Sequence, residues 1–92
     1  MIISYADKAT ALLANGIRVP KFEGIEQVAR RKLGQLSLAA DLLDLSMSPG
    51  NRLEKLRGDR EGQMSIRINN RWRICFVWTN AGPAQVEIVD YH

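Results

Sequence analysis

Six arginines and one lysine, Arg52, Lys55, Arg57, Arg60, Arg67, Arg71 and Arg73, crowd into positions 52 to 73 of this 92-residue chain. That stretch holds only three acids, Glu54, Asp59 and Glu61, while the rest of the chain carries six basic and seven acidic side chains. The positive field therefore belongs to one segment. Arginine's planar fork suits phosphate oxygens, so the implied chemistry is grip on a polyanion, nucleic acid first, set against the plainer alternative of a solvated basic surface. A second group, Asp90-Tyr91-His92, puts a carboxylate, a phenol and an imidazole in a row. All three give or take protons, and a neighbouring Arg73 would stabilise charge developing on a phosphorus centre. Their structural alternatives are a strand-end hydrogen bond for Asp90, a sheet-edge cover for Tyr91 and a frayed end for His92.

The composition, 46% apolar and 25% charged at 10.4 kDa, suits one globular domain over residues 1–92. A chain of this size buries roughly 60–70% of its unfolded surface, which leaves room for a shallow site built from few residues. The one cysteine, Cys75, lies in the apolar run Ile74-Cys75-Phe76-Val77-Trp78, so an intramolecular disulfide and a cysteine metal cluster are excluded and a reducing compartment is expected. No apolar stretch approaches the roughly 20 residues of a membrane span, and Met1 to Asp7 lacks the pattern of a secretory signal. A cytoplasmic, membrane-free protein is the expectation. Walker-type and dinucleotide glycine loops, histidine pairs at metal spacing and a serine elbow are all missing, so no metal and no cofactor is expected.

The elements that must position these groups follow from periodicity. Met1 to Tyr5 suits a short strand, and Asp7 is placed to cap a helix through Lys8 to Ala14 that Asn15-Gly16 stops. Ile25, Val28, Ala29, Leu33 and Leu36 recur at helical spacing, with Glu26, Gln27, Arg30, Arg31, Lys32 and Gln35 on the other face. Leu38 to Leu45 either prolongs that helix or makes a separate turn before the break at Ser46 to Asn51. From Met64 onward the period becomes two, giving three strands in an antiparallel meander. The predicted fold is α+β, with two N-terminal helices packed on one face of a small, mainly antiparallel sheet.

Register follows from keeping the apolar rows together. A three-residue loop, Asn69-Asn70-Arg71, with an asparagine in the left-handed region, sets Ile68 against Trp72, Ile66 against Ile74 and Met64 against Phe76. A five-residue loop from Thr79 to Pro83 then sets Val86 against Phe76 and Ile88 against Ile74. Trp72, Phe76 and Trp78 fall to the core. On the opposite, open face Arg67 lies across from Arg73, with Val89 beyond and Tyr91 near Arg71 and Arg73. Opposed arginines need an anion. Glu87, diagonal to Arg73, supplies one by a cross-strand salt bridge, and a ligand phosphate would supply the rest.

Leu53-x-x-Leu56-Arg57-Gly58-Asp59-Arg60-Glu61-Gly62, followed by Ser65-Ile66-Arg67-Ile68, Trp72-Arg73-Ile74-Cys75-Phe76 and Glu87-Ile88-Val89-Asp90-Tyr91-His92, resembles the HigB toxins of the RelE/ParE superfamily. The resemblance implies a ribosome-dependent endoribonuclease that enters the A site and cuts mRNA without a metal. In such toxins the ribose 2′-OH attacks the adjacent phosphate, leaving a cyclic phosphate and a 5′-OH. By matching position, Arg73 would stabilise the scissile phosphate, Asp90, Tyr91 and His92 would supply acid, base and positioning groups, and Arg52, Lys55, Arg57, Arg60 and Arg67 would hold the RNA backbone. The resemblance also implies a HigA-like helix-turn-helix antitoxin and contact with operator DNA only through that antitoxin, while the small basic chain is expected to be monomeric alone. One departure stands out: a branch of the family has a histidine two residues before the leucine that precedes the glycine-bounded loop, and Glu54 takes that place here as a candidate acid/base. The ParE side of the superfamily, whose members inhibit DNA gyrase without catalysis, offers an alternative function on the same fold, and an RNA-binding module without turnover offers another.

Overall fold

In a computed structural model that describes residues 1–90, three helices and a four-stranded antiparallel sheet share one core, so Tyr91 and His92 lie outside the described residues. Asp7 caps α1 (Lys8–Ala14) as expected, its carboxylate accepting from the Thr10 amide at 3.2 Å. Gly16, at φ +88°, turns the chain away after the C-cap Asn15. A 3₁₀ segment at Pro20–Ile25 leads into α2 (Glu26–Leu38), which buries Ala29, Leu33 and Leu36. The stretch after α2 forms a separate short helix, α3 (Leu42–Ser46), because Asp41 starts it anew by accepting from the Asp44 amide at 3.0 Å.

The strands run in the order β1 (Glu54–Lys55), β2 (Met64–Arg67), β3 (Trp72–Thr79) and β4 (Gly82–Asp90), each antiparallel to its neighbour. The expected β2–β3 register holds: Met64 faces Phe76, Ile66 faces Ile74 and Arg67 faces Arg73. Its loop closes differently. No asparagine adopts positive φ among the described residues; the Asn69 side chain instead accepts from the amides of Arg71 and Trp72, each at 2.8 Å, and so imitates a turn.

The β3–β4 hairpin corrects the expected five-residue loop. Thr79 pairs with Gly82 and Trp78 with Pro83, so the turn is only Asn80-Ala81 and Pro83 is a buried strand residue. A bulge then absorbs one extra residue between the Cys75 and Val77 pairings, with Gln85 at φ +53°. Ile74 therefore still faces Ile88, as expected, and Val86 still reaches the core. The same bulge explains why Met1 to Tyr5 is not the regular strand foreseen. Ile3, Ser4 and Ala6 exchange backbone hydrogen bonds with Pro83 and Val86 at 2.8–3.0 Å, but the Gln85 amide goes to the Ser4 hydroxyl, so only an isolated parallel bridge at Tyr5 remains. This run covers the outer edge of β4, and the buried Thr10 hydroxyl accepts from the Ile88 amide at 3.0 Å to complete the cover.

Phe76, Ile66, Ile74, Val86, Phe22 and Leu36 are fully buried between helices and sheet, whereas Trp72 and Trp78 are only partly buried against that core. Trp72 meets Phe22 edge to face at 5.7 Å. Two expectations change here. Lys32, grouped by residue type with the polar side of α2, is 6% exposed. The second face of the sheet is also not fully open: Ser65 and Cys75 are buried on it, and Leu56 is buried outside the main core cluster. No helix among the described residues is long and apolar enough to cross a membrane.

Candidate nucleic-acid interface

Alternation along β2 and β3 sends Ser65 and Arg67, Arg73 and Cys75 to the face away from the helices, and the β1 pairing adds Glu54 opposite Ser65. Arg67 and Arg73 are cross-strand partners, yet their side chains lean in opposite directions along the strands. Arg67 Nη2 donates to the Asn70 side chain in the hairpin. Arg73 points the other way: Nε donates to Ser65 Oγ at 2.8 Å and Nη2 to the Arg52 carbonyl at 2.8 Å. Glu54 Oε1 stands 3.8 Å from the same Nη2. Divergence thus relieves the repulsion expected of two opposed arginines.

The Arg73 side chain is only 13% exposed, so its guanidinium is held by packing and by those acceptors before any ligand arrives. Arg52, Leu53, Glu54 and Arg73 line a shallow depression of about 400 Å³. Across β1, Lys55, Leu56, Arg57, Glu61 and Gly62 line another of about 550 Å³. Arg52, Lys55 and Arg57 are exposed. Of the basic residues singled out in the sequence, Arg52 and Arg73 line the first depression, Lys55 and Arg57 line the second, and Arg67 is the cross-strand partner of Arg73.

The remaining groups are placed otherwise. Arg60, from the 3₁₀ turn Gly58–Arg60, donates to Glu87 Oε1 at 3.2 Å and to Gln63, so the cation that Glu87 neutralises is Arg60, where the sequence had suggested Arg73. Glu87 is the cross-strand partner of Cys75, one row away from Arg73, and the turn that carries Arg60 brings a cation to it. Arg71 Nε and Nη2 both donate to Asp90 Oδ2, at 2.9 and 2.7 Å, and the Arg71 guanidinium lies 5.4 Å from the Trp72 ring. That hydrogen bond to Asp90 raises the Arg71 pKa further above its already high value. Asp90 faces Trp72 in the register, so the pleat puts it in the row of Ile88 and not in that of Arg73. Tyr91 and His92 fall outside the described residues.

Burial pushes the Cys75 thiol pKa up, against the smaller pull of Arg60 and Arg73, so Cys75 stays protonated and inert at neutral pH. Two contributors to the site escaped the sequence reading. Ser65 orients Arg73, and its only sequence signal was a small polar residue on the arginine row of β2. Arg52 contributes its carbonyl as well as its charge, from a left-handed conformation (φ +44°) that nothing in its residue type announces.

Toxin HigB-1 from Vibrio cholerae is 41% identical to this chain over 68 residues, 74% of this chain and 70% of that protein. Endoribonuclease HigB from Proteus vulgaris is 42% identical over 41 residues, 45% of each chain. The family described as "RelE-like toxin of type II toxin-antitoxin system HigB" matches residues 17–92, which include both depressions, and the chain belongs to this family of HigB-like toxins.

Proposed function

We propose that this toxin is a ribosome-dependent endoribonuclease that cleaves mRNA in the A site by attack of a ribose 2′-OH on the adjacent phosphate. The observation that carries the reading is Arg73, whose guanidinium is fixed by Ser65 Oγ and the Arg52 carbonyl in a depression that Arg52 also lines, with Lys55 and Arg57 lining the next. In the step itself the 2′-oxygen bonds to phosphorus as its proton leaves to a base, and the 5′-oxygen departs with a proton from an acid. The products are a 2′,3′-cyclic phosphate and a 5′-OH. Arg73 acts on the negative charge that grows on the non-bridging oxygens, a role that preorganised donors perform well. Arg52, Lys55, Arg57 and Arg67 hold the backbone to either side, and Arg60 adds a weaker field because Glu87 offsets it. Tyr91 and His92 are proposed for proton transfer. Asp90, bound by Arg71, is proposed to brace the end of β4. Family membership implies an antitoxin; a HigA-like helix-turn-helix protein is proposed for that role, carrying the operator contact. A cleft of about 570 Å³ between α2 and α3, lined by exposed Leu38 and Met47, gives such a protein an apolar seat that shares no lining residue with the Arg73 depression. The location proposed is the cytoplasm, where mRNA is translated.

Brief induction followed by mapping of mRNA 5′ ends tests the reading. Cuts in translated messages, absent with Arg73→Ala, are the expected result. DNA breaks and an SOS response without mRNA cuts would instead assign the ParE-like inhibition of gyrase.

Glu54 stands 3.8 Å from the fixed guanidinium, and it draws positive potential away from an incoming phosphate. Glu54→His is therefore expected to preserve or raise cleavage by up to about tenfold in a purified ribosome assay, since it removes the competing charge and supplies an imidazole. A large loss would make the carboxylate itself the working base.

A further inference from the structure

We infer that Lys32 and Asn51 form a buried polar clamp that fixes the Asn51-Arg52 turn and through it aims Arg73, making both of them positioning residues for the site. This rests on the reading of Arg73 given above. Asn51 is fully buried and every polar atom of its side chain is used. Its Oδ1 accepts from Lys32 Nζ, and its Nδ2 donates to Gln35 Oε1 at 3.2 Å and to the Leu45 carbonyl at 3.0 Å. One side chain thus ties α2 and α3 to the 3₁₀ turn Pro49–Asn51. The next residue, Arg52, is left-handed, a conformation that strains a non-glycine residue and persists only where its surroundings enforce it. The Arg52 carbonyl then accepts from Arg73 Nη2 at 2.8 Å.

Lys32 is poorly served by this arrangement. The residue is 6% exposed, and among the described residues no carboxylate pairs with its ammonium. Burial lowers its pKa, and the nearby charges of Arg31 and Arg67 lower it further. An apolar side chain would fill the same place without desolvating a charge. The lysine is explained by what it holds.

Three measurements on Lys32→Met and Asn51→Leu decide the matter: circular dichroism for the fold, kcat and KM for cleavage of ribosome-bound mRNA, and the Arg73 Nε–H resonance. Folded variants are expected to lose about tenfold in kcat with KM little changed, because misaiming a preorganised group slows chemistry more than binding. The Arg73 Nε–H resonance should broaden toward that of an exposed arginine, Lys32→Arg should restore part of the loss, and neither substitution should cost more once Arg73→Ala is present. An unchanged resonance and kcat in a folded Lys32→Met protein would overturn the clamp, and so would an undiminished loss in the Arg73→Ala background. Should both variants fail to fold, the unaltered protein still decides: Arg73 Nε–H and Asn51 Nδ2 protons exchanging at unrelated rates would overturn it. Full cleavage by Arg73→Ala alone would sink the reading of the site instead, and the resonances would still report whether the clamp holds Arg73.

Discussion

Exchanging Arg73 for lysine lowers kcat for RNA cleavage by about a hundredfold, while the melting temperature falls by only about 5 °C. The guanidinium serves Ser65 Oγ through Nε and the Arg52 carbonyl through Nη2, and it lies beside Glu54. Lysine keeps the charge but concentrates it at one point. It reaches one of these acceptors at a time and leaves the buried Ser65 hydroxyl short of a donor, a loss of about 1 kcal/mol. The larger effect is on the reaction. Charge in the transition state spreads over two non-bridging oxygens, which a rigid fork meets and a single ammonium does not. Removing one preorganised donor from comparable sites costs about 10²–10³ in rate, and the retained charge puts lysine at the lower end of that range and alanine at the upper. KM should change little, because Arg52, Lys55, Arg57 and Arg67 still hold the backbone. Single-turnover cleavage beside a thermal melt separates the two effects, and a lysine variant within about threefold of the original rate would move the phosphate contact elsewhere.

The arginine row was legible in the sequence because a period of two leaves no freedom once the apolar rows are matched: Ile66 with Ile74 forces Arg67 onto Arg73. The same logic fixed Ile88 opposite Ile74 even though the loop length was misjudged, since the bulge at Gln85 compensates for the shorter turn at Asn80-Ala81. Bulges carry no residue signature when the left-handed residue is glutamine. What stayed hidden was the part of the site made by loops. The two-residue strand β1 is too short for any periodicity to show, yet it delivers Glu54 beside Arg73. The pairing of Glu87 with Arg60 depends on how the Gly58–Arg60 turn lies, which composition does not specify. Lys32 is different, because its position was readable. Ala29, Lys32, Leu33 and Leu36 stand at i, i+3, i+4 and i+7, an apolar stripe with one lysine in it. Grouping it with the polar side by residue type alone concealed the one buried charge on α2.

Affinity for single-stranded RNA falls about a hundredfold between 50 and 200 mM monovalent salt, with a log–log slope near −3.5. The slope counts phosphates neutralised, at about −0.7 for each on a single strand. Of the seven cations between positions 52 and 73, two are matched by acids within the protein, Arg60 by Glu87 at 3.2 Å and Arg71 by Asp90 at 2.7 Å. A cation that brings its own counter-charge displaces fewer condensed ions from the RNA. Glu54, 3.8 Å from Arg73 and more than half exposed, is a weak rival to a phosphate, so Arg73 still counts. Arg52, Lys55, Arg57, Arg67 and Arg73 then set the slope. If all seven contributed, it would approach −4.9 and the loss would approach a thousandfold, a difference that fluorescence anisotropy on a labelled RNA resolves easily. Glu87→Gln releases Arg60 and should steepen the slope by about 0.7, whereas Arg57→Ala should flatten it by about the same amount. A slope flatter than about −2 would mean fewer than three phosphates held, too few for RNA to run along both depressions beside β1.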